Sequence, residues 1–268
     1  MSPRIAARQQ FGQHAEKYRK SSVHGDKETL EYIVNALAPD GSERAVDVGC
    51  GGGHMSTALA ARVKELVAID VTPQMLVQTG LLAGEKGLSN VVGCLADAQS
   101  LPFASCVFDI VTCRIVLHHV PDAGRAIREM ARILKVGGKL FIQDILGIDN
   151  AAPRNYMDEI ERLRDPSHIR DYAKEEWERF FNKAELEIVH REILPGSYRL
   201  KDWAWRSGTP VGSFNLIVRK LEDMPENVKR DLKATYTDGD WTIPMRYILA
   251  FTTKNQNKEH LTPMPRVG

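Results

Sequence analysis

Three carboxylates and a cluster of glycines are the residues of this chain best suited to holding a ligand. Asp47 lies in the stretch "AVDVGCGGGHMSTALA" (45–60), which sets Gly49, Gly51, Gly52 and Gly53 within five positions, directly after an apolar run and before a helix-like segment. Glycine adopts positive φ without steric cost and lets a ligand approach the backbone closely. Asp70 ends the next apolar run, seventeen residues after Gly53, where a carboxylate can accept hydrogen bonds from both hydroxyls of a ribose. Asp97 and Ala98, in "LADA", close the third run. There a carboxylate can accept from an exocyclic amine while a backbone N–H meets a ring nitrogen. Together these residues describe a slot for a nucleoside.

The elements that must position them follow from the pattern between Arg44 and about Ile145. Short β-branched runs ("RAVDVG", "ELVAID", "NVVGCLA", "FDIVTC", "GKLFIQDI") alternate with longer helical ones. That alternation means βαβ units and a parallel sheet, hence a doubly wound, Rossmann-like α/β fold. In "PDAGRAIREMARILKVGG", Ala126, Met130, Ile133 and Leu134 share one helical face, and Gly137 and Gly138 are expected to end that helix. Thr72 is the expected N-cap of the next helix along from Asp70, with Pro73 at its first position. Two helical pieces, joined near Ser21 to Asp26, precede the first strand and define an N-terminal helical lid over 1–43. The α/β core is read over 44–194, a helical cap insertion over 195–242, a final strand over 243–254 and a frayed tail over 255–268.

Two cofactor classes compete for such a loop. A dinucleotide site wants G-x-G-x-x-G, but His54 stands where the third glycine belongs, which disfavours an NAD-dependent oxidoreductase. A P-loop is excluded by the absence of GK[ST] after the glycines. A cofactor lacking phosphate suits G-x-G-x-G better. The free ribose diol is common to NAD and S-adenosylmethionine, so Asp70 alone does not choose between them.

The succession "VDVGCGGGH", "VAIDVTPQML", "ADAQSLPFASCVFDIVTCRIVLHHVPD" and "LKVGGKLFIQD" resembles the ordered motifs of class I S-adenosylmethionine-dependent methyltransferases. The opening "FGQHAEKYRKSSVH" is similar to the subgroup that includes ubiquinone and menaquinone biosynthesis methyltransferases, and the resemblance continues through "RLRDPSHIRDY", "EEWERFF", "WAWRSGTP" and "YILAFTTK". It implies a seven-stranded sheet with the last strand antiparallel, and S-adenosyl-L-methionine as cofactor. It further implies Gly49 and Gly51 beside the methionine part, with Asp47 ordering the loop. Asp70, with Val71 beside it, would hold the ribose, Asp97 and Ala98 the adenine, and Arg114 would lie near the sulfonium. The bland alternatives are that Asp70 and Asp97 cap helices and that Arg114 pairs with a nearby carboxylate.

Methyl transfer to a phenol, enol or amine is helped by a general base, and histidine titrates in the useful range. The candidates are His119, in the pair His118–His119 after the fourth strand, and His168, in a loop-like stretch that could fold over the mouth. His14 and Tyr18 stand on the lid segment. Trp203, Trp205 and Trp241 either line an apolar acceptor pocket or form the insertion's own core.

Composition sets the outer bounds. The 268 residues carry 36 basic and 35 acidic side chains, a formal charge of +1 that offers no global field for nucleic acid or an acidic membrane. The partner expected is a small-molecule acceptor. A homodimer is compatible with the sequence, which does not fix the oligomeric state. Cys50, Cys94, Cys106 and Cys113 show no metal-ligand spacing and no disulfide pattern, so no metal is expected. No signal-like or membrane-spanning run stands out, which points to the cytoplasm. A second reading keeps the fold and the cofactor but has the protein catalyse a non-methylating cyclisation or pericyclic reaction.

Overall fold

The computed structural model describes residues 3–21 and 24–255; the proposed tail from residue 256 onward lies outside them. Strands β1 (Arg44–Val48), β2 (Glu65–Asp70), β3 (Val91–Leu95), β4 (Phe108–Arg114), β5 (Leu134–Ile145), β6 (Leu186–Arg199), β7 (Thr235–Thr237) and β8 (Asp240–Lys254) form one sheet. Its order is β3-β2-β1-β4-β5-β8-β6, with β7 paired to the start of β8. The first five strands are parallel, and β8 runs antiparallel to β5 and β6. The β-branched content of β1 and β4 suits this arrangement, since both are buried on both faces except at Arg44 and near the strand ends. The order reverses between β1 and β4, so a crevice opens beyond their carboxyl ends.

Helices cover both faces. On one, α5 (Ala123–Ile133) and α7 (Lys174–Lys183) pack Met130, Ile127, Trp177 and Phe181 against Val111, Leu140 and Ile142. On the other, α2 (Lys27–Leu37) and α3 (His54–Ala60) bury Ile33, Leu37 and Leu59 against Leu66, Ile110 and Phe141. α4 (Pro73–Glu85) flanks β2 and β3, and α1 (Pro3–Arg19) lies across α4. A third core joins α6 (Ala151–Arg164) to α8 (Leu200–Ser207), α9 (Val211–Glu222) and α10 (Glu226–Leu232), with Ile160, Trp203, Ile217 and Leu221 buried between them. No helix among the described residues is long and apolar enough to cross a membrane.

Three features depart from the sequence reading. The sheet has eight strands, because Thr235–Thr237 folds back as a hairpin on β8. The ribbon of β6 and β8 runs past residues 195 and 243, from Leu194↔Tyr247 to Arg199↔Thr242, so the helical insertion is α8 to α10 rather than the whole of 195–242. Pro195 and Pro244 lie within this ribbon, opposite Arg246 and Ser197. Finally, Gly137 and Gly138 do not stop α5, which ends at Ile133 and passes straight into β5 at Leu134. The glycines serve the strand: Gly137 has φ 76°, and a Cβ on Gly138 would lie 3.0 Å from the Asp109 carbonyl, where the β4–β5 register shifts.

Candidate functional site

The crevice at the switch point is a cavity with about 1100 Å³ of empty space, part of it open to solvent. Asp47, Gly49, Gly51, Asp70, Val71, Asp97, Ala98 and Arg114 all line it, as does His119. The sequence therefore singled out residues that the fold does bring together, from three strand ends and the loop after β1.

The local chemistry begins with Asp47, which is buried and spends both oxygens on side chains: Ser56 donates to Oδ2 at 2.6 Å and Thr112 to Oδ1 at 2.8 Å. Burial pushes its carboxyl up, and the two hydroxyls pull it back. It thereby ties β1 to α3 and β4 and fixes the span of the glycine loop. Gly51 has φ 52°, and a Cβ built there would meet nothing within 4 Å, so the backbone faces open space in the cavity. Gly52 serves a different contact, because a Cβ there would come within 2.7 Å of the Arg19 backbone. α1 can lie over the loop only because this side chain is missing.

Asp70 accepts from the Gly51 N–H at 3.0 Å and from the Thr72 N–H at 2.8 Å, and burial lifts its carboxyl to about 6 against those hydrogen bonds. Thr72 is the N-cap of α4, so Asp70 steadies the entry to that helix while still lining the cavity. Asp97 is half-buried and caps no helix; its Oδ1 accepts from the Gln99 N–H at 2.9 Å. The Ala98 N–H has no hydrogen-bond partner among the described residues. The Val71 carbonyl accepts from Arg8 Nε of α1 at 2.7 Å.

Arg114 forms no salt bridge among the described residues. Its Nε donates to Gln143 Oε1 and its Nη1 to the His24 carbonyl, each at 2.8 Å. Burial lowers the guanidinium from its usual value. The expectation of a structural ion pair is not met; a cation held by neutral acceptors borders the cavity instead.

The two candidate bases part company. His119 lines the cavity and packs edge-on to Phe11 at 4.9 Å. Burial, then the neighbouring His118 cation, pushes it well below its ordinary value, so its imidazole is neutral at neutral pH. Ser167 Oγ donates to Asp165 Oδ1 at 2.5 Å and lies 3.1 Å from His119 Nδ1. With its own proton on Asp165, the serine can only accept from Nδ1–H, which leaves the lone pair on Nε2. Asp165 is held below its ordinary value: burial raises it, but the Arg164 guanidinium and the Ser167 hydrogen bonds lower it.

His168 does not reach the cavity. It is 2% exposed and its Nε2 is 2.9 Å from Asp158 Oδ1. The expectation of a flap over the mouth is corrected here: the segment tucks inward because Ile169 and Arg170 donate their N–H groups to the His118 carbonyl and Asp171 donates to Asp158. It is a buried wall that carries Ser167. Asp158, His168 and Asp171 come together with potential ligand atoms within 4.8 Å of one another, a grouping that residue spacing did not reveal.

Other residues also sort by position. Tyr18 lines the cavity, whereas His14 packs against Gly208, where a Cβ would meet its ring at 2.3 Å. Trp205 is exposed, Trp241 packs against the third core, and Trp203 is both buried in that core and part of a second cavity. That second cavity, with about 600 Å³ of empty space, shares Phe11, Tyr18, His24, Ile115 and His119 with the first. Arg164, Tyr198 and Arg206 complete its far side. No sequence reading found those three, since they sit on separate elements with no shared spacing; "WAWRSGTP" was the only hint.

Comparison with known proteins places this geometry. Residues 46–142 match a family model described as a methyltransferase domain. The chain is 32% identical over 221 residues to the uncharacterized methyltransferase YcgJ of Bacillus subtilis, covering 82% of this chain and 87% of that one. The crystal structure of YcgJ superposes with a TM-score of 0.78 at 29% identity, over 85% of this chain and 99% of that one. A ubiquinone biosynthesis O-methyltransferase of Xanthomonas axonopodis pv. citri is 39% identical over 118 residues, 43% of this chain and 48% of its own length. The [4+2]-cyclase SpnF shares the fold, with a TM-score of 0.60 at 22% identity over 84% of this chain and 80% of that one. The motif order and the switch-point cavity thus agree with these likenesses, and the chain belongs to the methyltransferase domain family, with the class I methyltransferase fold.

Proposed function

We propose that this protein is an S-adenosylmethionine-dependent methyltransferase acting on a small-molecule acceptor through oxygen, nitrogen or carbon. The observation that carries the reading is one cavity in which the open backbone at Gly51 meets the carboxylates of Asp70 and Asp97. Asp70 would hold the ribose with Val71 beside it, and Asp97 and the Ala98 N–H the adenine. Gly49 and Gly51 would border the methionine part, with Arg114 available for its carboxylate. Bound there, the cofactor supplies an electrophilic methyl group on a sulfonium centre.

The chain's own contribution is to orient the acceptor and to remove water and a proton. α1 roofs the cavity through Phe11 and Tyr18. His119 Nε2, held in its basic tautomer by Ser167 and Asp165, takes the acceptor's proton. The unpaired thiols of Cys50, Cys94, Cys106 and Cys113 suit a reducing compartment such as the cytoplasm. The test is incubation with methyl-labelled S-adenosylmethionine and a panel of phenols, hydroxylated acids and quinols. Label in the acceptor together with released S-adenosylhomocysteine is the expected result. Product formed without label would favour the non-methylating reading instead.

A further inference from the structure

The second cavity has a character the first lacks. Among the described residues that line it there is no Asp or Glu, while Lys17, Arg164 and Arg206 all do. Arg164 spends its charge on the far side: Nε and Nη2 donate to Glu161 Oε2, Asp165 lies 3.9 Å away, and Nη1 donates to Ser207. Arg206 is different. None of its N–H groups donates a hydrogen bond among the described residues, and its buried Nε has no partner. Asp202, 3.1 Å from that Nε, is 59% exposed and not aligned to accept. Among the described residues, Lys17 donates only to the Trp205 carbonyl. Arg206 is thus ion-paired to half-exposed Asp202 while its N–H groups remain without an aligned acceptor among the described residues, and that fork on a wall lined by no carboxylate matches the hydrogen-bonding pattern of an anion.

The remaining walls are flat and aromatic. Tyr198 and Trp203 stack with centroids 5.1 Å apart and an interplanar angle of 17°, with the Arg206 guanidinium 5.4 Å from the Tyr198 ring centre and that of Arg164 4.4 Å from the Trp203 ring centre, so these two rings offer edges rather than open faces. Tyr247 donates to the Tyr198 hydroxyl, which leaves that hydroxyl's own proton to be given elsewhere. The Tyr18 hydroxyl has no partner among the described residues. His24, on the wall common to both cavities, is pushed down to about 3 by burial and then by Arg114 and Arg206, while Asp165 and Glu161 act in the opposite sense on Tyr18 and Tyr198.

We infer that the second cavity receives a small aromatic acid, its ring among Phe11, Tyr18 and the edge of Tyr198 and its carboxylate on Arg206, with the reacting atom toward His119. This deepens the methyltransferase reading and rests on it.

The test uses full-length protein saturated with S-adenosylhomocysteine and an equimolar mixture of hydroxybenzoates, their methyl esters and the matching hydroxybenzylamines. Retained compounds are identified by mass spectrometry after rapid gel filtration. The acids are expected to be retained at least about tenfold over the esters and amines. Arg206→Gln is expected to abolish that preference and Arg206→Lys to keep part of it, with S-adenosylhomocysteine affinity by calorimetry unchanged in both, which separates a lost acceptor site from a lost fold. Retention of esters or amines at parity, retention of no acid, or an unaltered preference in Arg206→Gln overturns the inference. If the wild-type protein fails to bind S-adenosylhomocysteine, the methyltransferase reading falls and takes this one with it; cofactor binding without acid selectivity fells this one alone.

Discussion

The two cavities share a roof and one wall but are assembled by opposite means. The first takes Asp47, Gly51, Asp70, Asp97 and Arg114 from the ends of neighbouring parallel strands and the turns that follow them, so the sheet ladder fixes their spacing. The second takes Lys17 from α1, Arg164 from the end of α6 and Arg206 from α8, helices from well-separated parts of the chain, with Tyr198 from the edge strand β6. On the proposed reading, cofactor binding would rest on the parallel strand ends and acceptor selection on the elements added around them. Two adjacent histidines mark the border. Burial pulls His118 down, but Asp144 at 2.6 Å overrides it and holds the ring cationic, with its pKa near 9. His119, one residue on, is driven the other way and is neutral.

The division can be broken at that border. His119→Gln should lower kcat by at least about a hundredfold, as loss of a general base does, while S-adenosylhomocysteine affinity stays unchanged. Ser167→Ala should give a smaller loss of the same kind, with a shifted pH–rate profile. Full activity in His119→Gln would move proton removal to another group. On the cofactor side, Asp70→Ala should weaken S-adenosylhomocysteine binding about a hundredfold by calorimetry, because it removes acceptors from a buried carboxylate site. The acid preference of the second cavity should survive wherever saturation can still be reached.

The smallest effect sharpens the same contrast through pH. Burial raises the Asp70 carboxyl to about 6 in the free protein, above its ordinary 3.8. Ribose hydroxyls bind the ionised form, so cofactor affinity should be complete above about pH 7 and fall roughly tenfold toward pH 5. Asp70→Asn should flatten that dependence. A titration that is equally steep in Asp70→Asn would assign it to a different group.

How much could be read in advance follows the same division. The βαβ alternation and the order of glycines and carboxylates were visible because each motif is local: a strand, its turn and its helix are contiguous in the chain. The cofactor-side residues came with them. His168 misled because "RDPSHIRDY" has the composition of an exposed loop, and only the long-range hydrogen bonds to the His118 carbonyl and Asp158 draw it inside. Arg206 could not be found from spacing, since its role depends on which carboxylates are absent from a cavity wall.

One helix belongs to both cavities. α1 is fastened along its length, by Arg8 to the Val71 carbonyl, by Gln10 to the Ser207 carbonyl at 2.6 Å and by Lys17 to the Trp205 carbonyl, with Arg19 held further by Gln78 and Glu85 of α4, and it rests on the bare backbone of Gly52. Arg8 and Arg19 hold it to the α4 side, and Gln10 and Lys17 to α8. A molecule leaving past this helix must loosen fastenings that close its neighbour's compartment as well. On the proposed reading, exchange of the two ligands past this helix would be kinetically linked, and the release of spent cofactor and finished product would share a single gate.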